Sequence, residues 1–256
     1  MREIHRDELR EIQMQILDYI DSFCRNNGIK YTLSGGSLLG AIRHGGFIPW
    51  DDDIDIQMLR SEYDKFISLW EKNITEDISY QLISPLSDNS MGYPFSKIQD
   101  TRTVSYIGKF QRIGVCVDVF PVDNVIDEKD FQRRHSQIKR LYSFRSMIFL
   151  IMKRTPISLL KNIYNSIAKY IEKISKKYSE QSCKQVYEMV SGLRCNSPIP
   201  IVVFKSFKDI KFENRKYMSV EDYDTYLKLT FGDYMKLPPE KQRVPSHDNI
   251  FYMKDC

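Results

Sequence analysis

The sequence lacks the cysteine pattern of a disulfide scaffold or a zinc site. Its 256 residues contain five cysteines, an odd number, and no two of them form a C-x-x-C pair. Disulfide-rich secreted domains and structural zinc sites both depend on paired, closely spaced cysteines. We therefore expect a protein of a reducing compartment, the cytoplasm. The scattered cysteines are Cys24, Cys116, Cys183, Cys195 and Cys256.

Long apolar runs are missing as well. The longest, Met147 to Met152, is six residues long, whereas a helix needs about 20 apolar residues to span a bilayer. The charged opening stretch MREIHRDELR does not fit a signal peptide, so we expect a protein that does not cross a membrane by itself. Neither sign of charge dominates, because the net charge is only +4. That excess permits an anionic partner but does not call for nucleic acid.

The sequence does contain enough apolar residues, 42%, and few enough charged ones, 28%, for a folded globular chain. Strand-like and amphipathic helical patterns alternate up to residue 126, and long helical patterns follow over 128–153 and 156–177. We therefore predict an α+β fold with a mixed β-sheet core flanked by helices in residues 1–126. A mainly helical region, 127–256, would complete the site and bind the acceptor, as a second domain or as part of a continuous one.

A glycine–serine turn stands near the start of the chain, within YTLSGGSLLGAIRHGGFIPWDDDIDIQ (31–57). The turn, Gly35-Gly36-Ser37, precedes a predicted helix that ends at Arg43. Backbone N–H groups at such a helix start, together with the helix dipole, suit a phosphate, and glycine lets the phosphate come close. Taken alone, the turn is explained equally well by the steric needs of a strand-to-helix connection.

An acidic segment, Asp51-Asp52-Asp53-Ile54-Asp55, follows the turn, and we predict a strand over Asp53–Met58. If the segment is extended throughout, Asp51, Asp53 and Asp55 share one face. Their carboxylates could then converge on a hard cation, Mg²⁺ or Mn²⁺. The alternatives are a solvated turn and a calcium loop. The glycine and glutamate of a calcium-binding EF-hand are absent, and a solvated turn would not need apolar residues between the acids.

A later apolar stretch, Val115–Val122, contains a single acid, Asp118. A carboxylate inside a core strand needs a partner. We predict that Asp118 meets the same metal from a neighbouring strand. An edge position facing solvent is the alternative.

Together these features have the pattern of the nucleotidyltransferase superfamily: a glycine–serine turn, a helix, an Asp-x-Asp strand and a later strand aspartate. The longer segments SGGSLLGAIRHGGFIPWDDDIDI, VDVFPVD and FGDYMKLPPEKQR resemble the LicD family of phosphocholine transferases, which is related to fukutin. The similarity is dense over 31–66, recurs at 95–123 and returns at 219–247. The resemblance implies a CDP-linked alcohol as donor, most often CDP-choline. It implies a hydroxyl of a cell-surface glycan or of its lipid-linked precursor as acceptor.

The resemblance also implies roles for individual residues. Asp53, Asp55 and Asp118 would be catalytic, Asp118 or Asp55 accepting the proton of the acceptor hydroxyl. The metal that assists departure of CMP would be held by Asp51, Asp53, Asp55 and Asp118. The donor phosphates would be bound by Gly35, Gly36, Ser37, Arg43 and Lys97.

Several of these side chains have simpler explanations. For Arg43 and Lys97 a surface ion pair is an equal alternative. His44 fits a helix end as well as a ligand, and Trp50 and Tyr93 pack on a sheet or face a quaternary ammonium. His247 belongs only to the family's C-terminal pattern. The basic residues of 133–177 form a solvated face or hold the protein at an anionic membrane, the inner face of the cytoplasmic membrane.

Three rival functions remain at this point. A nucleotidyltransferase of the same fold would release pyrophosphate instead of CMP. A phosphatase that uses Asp-x-Asp would carry Thr or Val at the position of Gln57 and would leave the glycine–serine turn unused. A non-catalytic scaffold would keep the fold alone, although the intact carboxylates argue against it.

Overall fold

The computed structural model describes residues 1–72, 79–85, 92–107, 111–155, 157–190, 197–245 and 249–255. The described α-helices are α1 (Arg6–Asn26), α2 (Gly35–Arg43), α3 (Arg60–Lys72), α4 (Glu128–Arg154), α5 (Ser158–Ser175) and α6 (Tyr223–Phe231). The strands of the first half are β1 (Arg2–Glu3), β2 (Thr32–Leu33), β3 (Asp55–Leu59), β4 (Tyr80–Ile83), β5 (Ser96–Asp100), β6 (Thr103–Ile107), β7 (Gln111–Ile113) and β8 (Cys116–Val125). Those of the second half are β9 (Gln185–Tyr187), β10 (Ile199–Pro200), β11 (Phe207–Phe212), β12 (Arg215–Val220) and β13 (Tyr252–Met253). The predicted α+β class is confirmed.

Strand β8 is the centre of a seven-stranded mixed sheet. On one side it pairs in parallel with β3, and β2 continues the sheet in the antiparallel direction. On its other side, the first half of β8 pairs with β5 and the second half with β9, both antiparallel. β4 and β10 complete the sheet beyond β5 and β9. The two halves of β8 therefore have different neighbouring strands, and their side chains lie in different surroundings.

Helices α1 and α3 cover one face of the sheet. Ile16, Leu17 and Ile20 of α1 are fully buried, as the helical spacing of its apolar residues predicts. The rings of Phe23 and Phe66 meet edge to face, with their centroids 5.6 Å apart. Because this face is filled by the core, functional side chains of β3 and β8 must lie on the opposite face or at the ends of the strands.

The second half contributes more strand than its sequence predicts. β9 and β10 join the sheet of β3 and β8. β11 and β12 form a hairpin beside β2, where the amide of Val220 on β12 donates to Thr32 Oγ1 on β2 at 3.1 Å. Ser219 lies in β12, so it does not cap α6; Asp222 does, accepting from the amide of Thr225. Periodicity does not reveal β9 and β10 because they have only three and two residues, or β11 and β12 because charged residues interrupt their apolar pattern. The division at residue 126 stays a prediction.

Two long helices, α4 and α5, pack against each other and connect to β8 through buried charges. The guanidinium of Arg60 on α3 donates to both carboxylate oxygens of Asp123 on β8, at 2.7 and 3.0 Å, and to Glu172 on α5 at 3.2 Å. All three side chains are buried. Burial lowers the pKa of Arg60, but Asp123, Tyr63 and Glu172 together raise it above its usual value. In the described part of the chain, no helix has the length and apolar content needed to cross a bilayer.

Candidate active site

Two aspartates stand side by side at the start of the parallel pair β3 and β8. Asp55 is the first residue of β3 and is in register with Asp118 on β8. The amide of Asp118 donates to the carbonyl of Ile54 at 2.9 Å. Neighbouring strands lie about 4.8 Å apart, and paired residues of a parallel ladder point to the same face. Asp118 therefore lies on the strand next to Asp55, as predicted, while the binding of one metal by both carboxylates stays a prediction.

The three aspartates before β3 are arranged differently from the prediction. The predicted strand Asp53–Met58 begins at Asp55 instead, and Asp51, Asp52 and Asp53 lie in the preceding loop. Alternation along an extended strand is therefore the wrong reason for their proximity. The curved loop brings one carboxylate oxygen of each within 4.8 Å of the others. This grouping includes Asp52, which strand alternation had placed on the opposite face.

Helix α1 fixes the backbone of this acidic loop. Gln13 donates its side-chain amide to the carbonyl of Asp52 at 2.9 Å. Arg10 donates to the carbonyls of Ile48 and Asp51, at 3.1 and 3.3 Å. These side chains bind backbone oxygens, so the loop is held in place without its carboxylates being neutralised by the same contacts.

The electrostatics of the loop favour a cation. Burial raises the pKa of Asp51, and the nearby carboxylates of Asp55 and Asp52 raise it further, against a smaller lowering by a hydrogen bond with Asp53. Clustered carboxylates repel one another in the ionised state. A divalent cation removes that repulsion, and an all-oxygen ligand set suits Mg²⁺ or Mn²⁺. The residues of this cluster therefore fit the expected metal in ligand type and spacing.

Asp118 is already partnered by Lys97 of β5. The ammonium lies 2.5 and 2.6 Å from the two carboxylate oxygens of Asp118, and Lys97 is only 8% exposed. The surface ion pair considered for Lys97 is therefore wrong, because this pair is buried. Burial lowers the pKa of Lys97, but Asp118, Cys116 and Tyr93 together raise it above its usual value. Lys97 thus holds Asp118 in place beside Asp55.

The neighbours of this ion pair are aromatic and sulfur-containing. The Tyr93 and Phe95 rings lie against the ammonium of Lys97, with centroids at 4.6 and 5.1 Å. The Tyr93 ring therefore faces a cation of its own chain. Burial raises the pKa of the Cys116 thiol to about 12, so that thiol, 3.7 Å from Asp118, is a neutral donor at neutral pH.

The glycine–serine turn joins the acidic cluster directly. Helix α2 begins at Gly35, which has a φ of +52°, in the left-handed region that favours glycine. A Cβ atom at Gly36 would lie 2.2 Å from Oδ2 of Asp51, so glycine is required there for the carboxylate to approach. Ser37 accepts a hydrogen bond at Oγ from the amide of Asp55, at 2.9 Å. The turn and the acidic residues therefore form one structure.

Arg43 and its neighbours tie the C-terminal segment to helix α2. The Arg43 guanidinium donates to the carbonyls of Tyr234 and Lys236, at 2.8 and 3.4 Å, and to the ring nitrogen of His44. The Trp50 ring faces the guanidinium of Arg243 at 5.7 Å. His247 lies outside the described residues. The described contacts of Arg43 are thus with protein carbonyls and His44.

One buried polar network at the site was not predicted. Tyr226 of α6 donates to the side-chain carbonyl of Gln57 at 2.9 Å, and the Gly35 amide approaches the Tyr226 hydroxyl at 3.5 Å. Gln57 in turn donates to Glu188, which is also buried. Gln57 lies two residues after Asp55, on the same face of β3. Its polarity inside a strand was the signal in the sequence that could have located this network.

Comparisons with known proteins agree with this geometry. Residues 28–147 match the family model described as LicD/FKTN/FKRP, nucleotidyltransferase domain. The lipopolysaccharide cholinephosphotransferase LicD of Haemophilus influenzae is 30% identical over 265 aligned positions, which cover 99% of this chain and 100% of that protein. The human ribitol 5-phosphate transferase FKRP is 53% identical over 38 residues, which cover 15% of this chain and 8% of that protein.

Proposed function

The chain belongs to the LicD family, and from this premise we propose that it transfers phosphocholine, or a related phospho-alcohol, from a CDP-linked donor to a hydroxyl of a glycan. The observation that carries the proposal is the cluster at the start of β3 and β8. There, acidic side chains gather beside the first turn of α2, and Lys97 holds one of them. The full-length similarity to a cholinephosphotransferase supports choline as the alcohol. The acceptor we propose is a cell-surface glycan or its lipid-linked precursor, met at the inner face of the cytoplasmic membrane.

A divalent metal, Mg²⁺ or Mn²⁺, would be held by carboxylates among Asp51, Asp53, Asp55 and Asp118, with Asp52 beside them. When bound, it would neutralise charge on the donor diphosphate and so ease departure of CMP. The raised pKa of Asp51 and the close spacing of the loop carboxylates are the properties of this chain that fit such an ion.

Residues of the chain itself would accept the proton and bind the donor phosphates during the transfer. The acceptor hydroxyl oxygen forms a bond to the phosphorus that bears the choline, the bond from that phosphorus to CMP breaks, and CMP leaves with the electron pair. Asp118 or Asp55 accepts the hydroxyl proton. The first turn of α2, from Gly35 to Ser37, offers backbone N–H groups and a hydroxyl to the donor phosphates. Lys97 orients Asp118 and places a positive charge at the same end of the sheet.

Product analysis tests this reaction. The protein is incubated with CDP-choline, a nucleoside triphosphate, Mg²⁺ and a glycan acceptor, and CMP, pyrophosphate and the modified glycan are measured separately. Release of CMP together with a phosphocholine-bearing glycan is the expected result. Pyrophosphate released from a nucleoside triphosphate, with CDP-choline left intact, would favour nucleotidyl transfer instead. No binding of CDP-choline at millimolar concentration with Mg²⁺, measured by calorimetry, would favour a scaffold.

A thermal-shift panel tests the donor's alcohol separately. A bound donor stabilises the folded state by mass action, by about 2.7 kcal/mol at a hundredfold excess over its dissociation constant. CDP-choline, CDP-ethanolamine, CDP-glycerol and CDP-ribitol are compared, each with Mg²⁺. We expect the largest shift with CDP-choline. A larger shift with CDP-ribitol would leave the proposed type of reaction unchanged but replace choline by ribitol as the donor's alcohol, in line with the short similarity to a ribitol 5-phosphate transferase.

A further inference from the structure

The end of the α4–α5 hairpin exposes a cluster of large apolar side chains. We call residues 144–163, without residue 156, the hairpin tip. Of the seventeen large apolar side chains exposed in the described part of the chain, seven belong to it. They are Phe144, Met147, Leu150, Ile151, Ile157, Leu159 and Ile163. Leu150 and Leu159 are each 65% exposed. So dense a group on one surface marks an interaction site more often than a solvated face.

Packing of the protein core does not account for this cluster. The chain's longest apolar run, Met147–Met152, lies in the tip, and its residues divide between two sides of α4. Ile148 and Met152 are buried, whereas Met147, Leu150 and Ile151 are 45 to 65% exposed. A helix that only covers a core needs one apolar stripe and carries polar residues opposite it. Helix α4 has a second apolar side at its C-terminal end.

The charge around the tip is of one sign. Residues 131–171 contain nine Lys or Arg and no Asp or Glu, whereas the remainder of the chain has 29 basic and 34 acidic residues. Seven of the nine cations are exposed: Arg133, Lys139, Arg140, Lys153, Arg154, Lys161 and Lys169. An apolar surface surrounded by cations suits a bilayer with anionic headgroups, because apolar side chains enter the interface while Lys and Arg meet phosphates. A second copy of this chain would bring the same positive charge into contact with itself.

We propose that the hairpin tip docks this protein on an anionic phospholipid surface. Leu150, Ile151 and Leu159 enter the headgroup region, and cations such as Lys153 and Lys161 meet the lipid phosphates. The proposal goes beyond the reaction, since it depends on neither the donor nor the acceptor. It also goes beyond general attraction by basic residues, since it requires the apolar side chains of the tip.

The hairpin also contacts the segment that leads into the candidate active site. Arg145 donates to the carbonyl of Gly92 at 2.5 Å, and its guanidinium lies 4.1 Å from the centre of the Tyr164 ring. A Cβ atom at Gly92 would lie 2.2 Å from the Tyr164 ring, so this contact is tight. The next residue, Tyr93, packs on the ammonium of Lys97. Docking through the hairpin would therefore fix the active site relative to the bilayer, where a lipid-linked acceptor resides.

Vesicle flotation with the full chain tests the proposal without substrate. Vesicles of phosphatidylcholine alone are compared with vesicles that also contain phosphatidylglycerol. We expect flotation only with the anionic vesicles, weakening as salt is added. The double variant L150E/L159E should lose at least about tenfold in affinity, because it places charge in the interface. Neutralising Lys153, Arg154 and Lys161 to Gln should lose on the order of a hundredfold, since each cation contributes about fivefold near an anionic surface.

Matched controls separate the tip from general surface effects. Val202 and Val244 are exposed to a similar degree outside the tip, so V202E/V244E should float like the unaltered protein. The triple change of Lys205, Lys211 and Lys216 to Gln removes equal charge from elsewhere and should cost much less than the tip triple. No flotation with anionic vesicles, or equal flotation of L150E/L159E, would overturn the proposal. So would a dimer in sedimentation velocity that L150E/L159E abolishes, because the tip would then bind a second copy.

Discussion

Strand β8 carries two acidic residues five positions apart, and their surroundings differ in kind. Asp123 is fully buried and is bound through both carboxylate oxygens by Arg60. Asp118 also has a cation, Lys97, but it stands beside Asp55 and the loop carboxylates at the partly exposed start of the strands. One end of the strand thus pairs its acid within the core. The other end gathers several acids, of which Asp51, Asp52, Asp53 and Asp118 are partly exposed.

The difference separates a structural charge cluster from a functional one. A buried carboxylate matched by a guanidinium connects secondary elements, here α3, β8 and α5, and its loss leaves an uncompensated charge in the core. The carboxylates of Asp55 and Asp52 raise the pKa of Asp51, and such like-charge repulsion opposes folding unless the group has another use, such as binding a cation. The comparison therefore predicts opposite consequences for the same chemical change at the two ends.

The largest effect is expected for Asp55→Asn. The amide keeps the shape of the side chain but removes one negative charge from the proposed metal-binding group, so CMP release should fall by at least about a thousandfold, or roughly 4 kcal/mol of transition-state stabilisation. The thermal midpoint should stay level or rise, because repulsion with Asp51 is relieved. Asp53→Asn should behave in the same way. Turnover near that of the unaltered protein in both variants would contradict the assignment of this cluster.

Asp123→Asn should reverse that pattern. Removing one partner of a buried ion pair costs about 3–5 kcal/mol, so the free energy of unfolding measured in urea should drop by this amount. Activity per folded molecule should change little at low temperature, since Arg60, Asp123 and Glu172 lie outside the acidic cluster. Loss of activity without loss of stability would mean that the two ends of β8 are not distinct.

Lys97→Met tests the same comparison by removing the cation that pairs with Asp118. Asp118 would be left without its ammonium, and we expect a loss of about 1–3 kcal/mol in the free energy of unfolding. Mg²⁺ should then stabilise this variant more than the unaltered protein, because the metal no longer competes with Lys97 for Asp118. The readout is the thermal shift with added Mg²⁺. An equal Mg²⁺ shift, together with a raised KM for CDP-choline, would instead assign Lys97 to the donor phosphates.

The sequence predicted the contents of the site better than its geometry. The turn at Gly35–Ser37 follows from a local pattern, because it occupies one connection. The strand that contains Asp118 is also a local pattern, but its pairing with Asp55 is long-range and was predicted only because a carboxylate in a core strand needs a partner. The position of Asp52 does not, since it depends on a loop whose curvature is set by contacts with Arg10 and Gln13 of a distant helix.

Long-range pairing limits prediction elsewhere in the same way. The partner of Lys97 depends on the pairing of β5 with β8, and no local pattern encodes that register. Strands β9, β10 and β13 contain only two or three residues each, so tertiary pairing rather than periodicity determines them. The exposure of the hairpin tip was hidden because apolar residues on a helix predict burial until the opposite side of the helix is known.

Tyr226→Phe is expected to have the smallest effect, because Tyr226 is uncharged and belongs to a hydrogen-bond network that adjoins the acidic cluster without being part of it. The change removes a hydroxyl that donates to Gln57 at 2.9 Å in a buried position. An unsatisfied buried acceptor costs about 1–2 kcal/mol, which urea unfolding can measure, while CMP release should fall only severalfold. Tyr223→Phe on the same helix is the control, since its hydroxyl makes no hydrogen bond within the described residues. If Tyr226→Phe instead reduced activity as far as Asp55→Asn, the network from Gly35 through Gln57 would belong to the catalytic cluster. The functional polar groups would then include Tyr226 of α6 as well as the acidic residues.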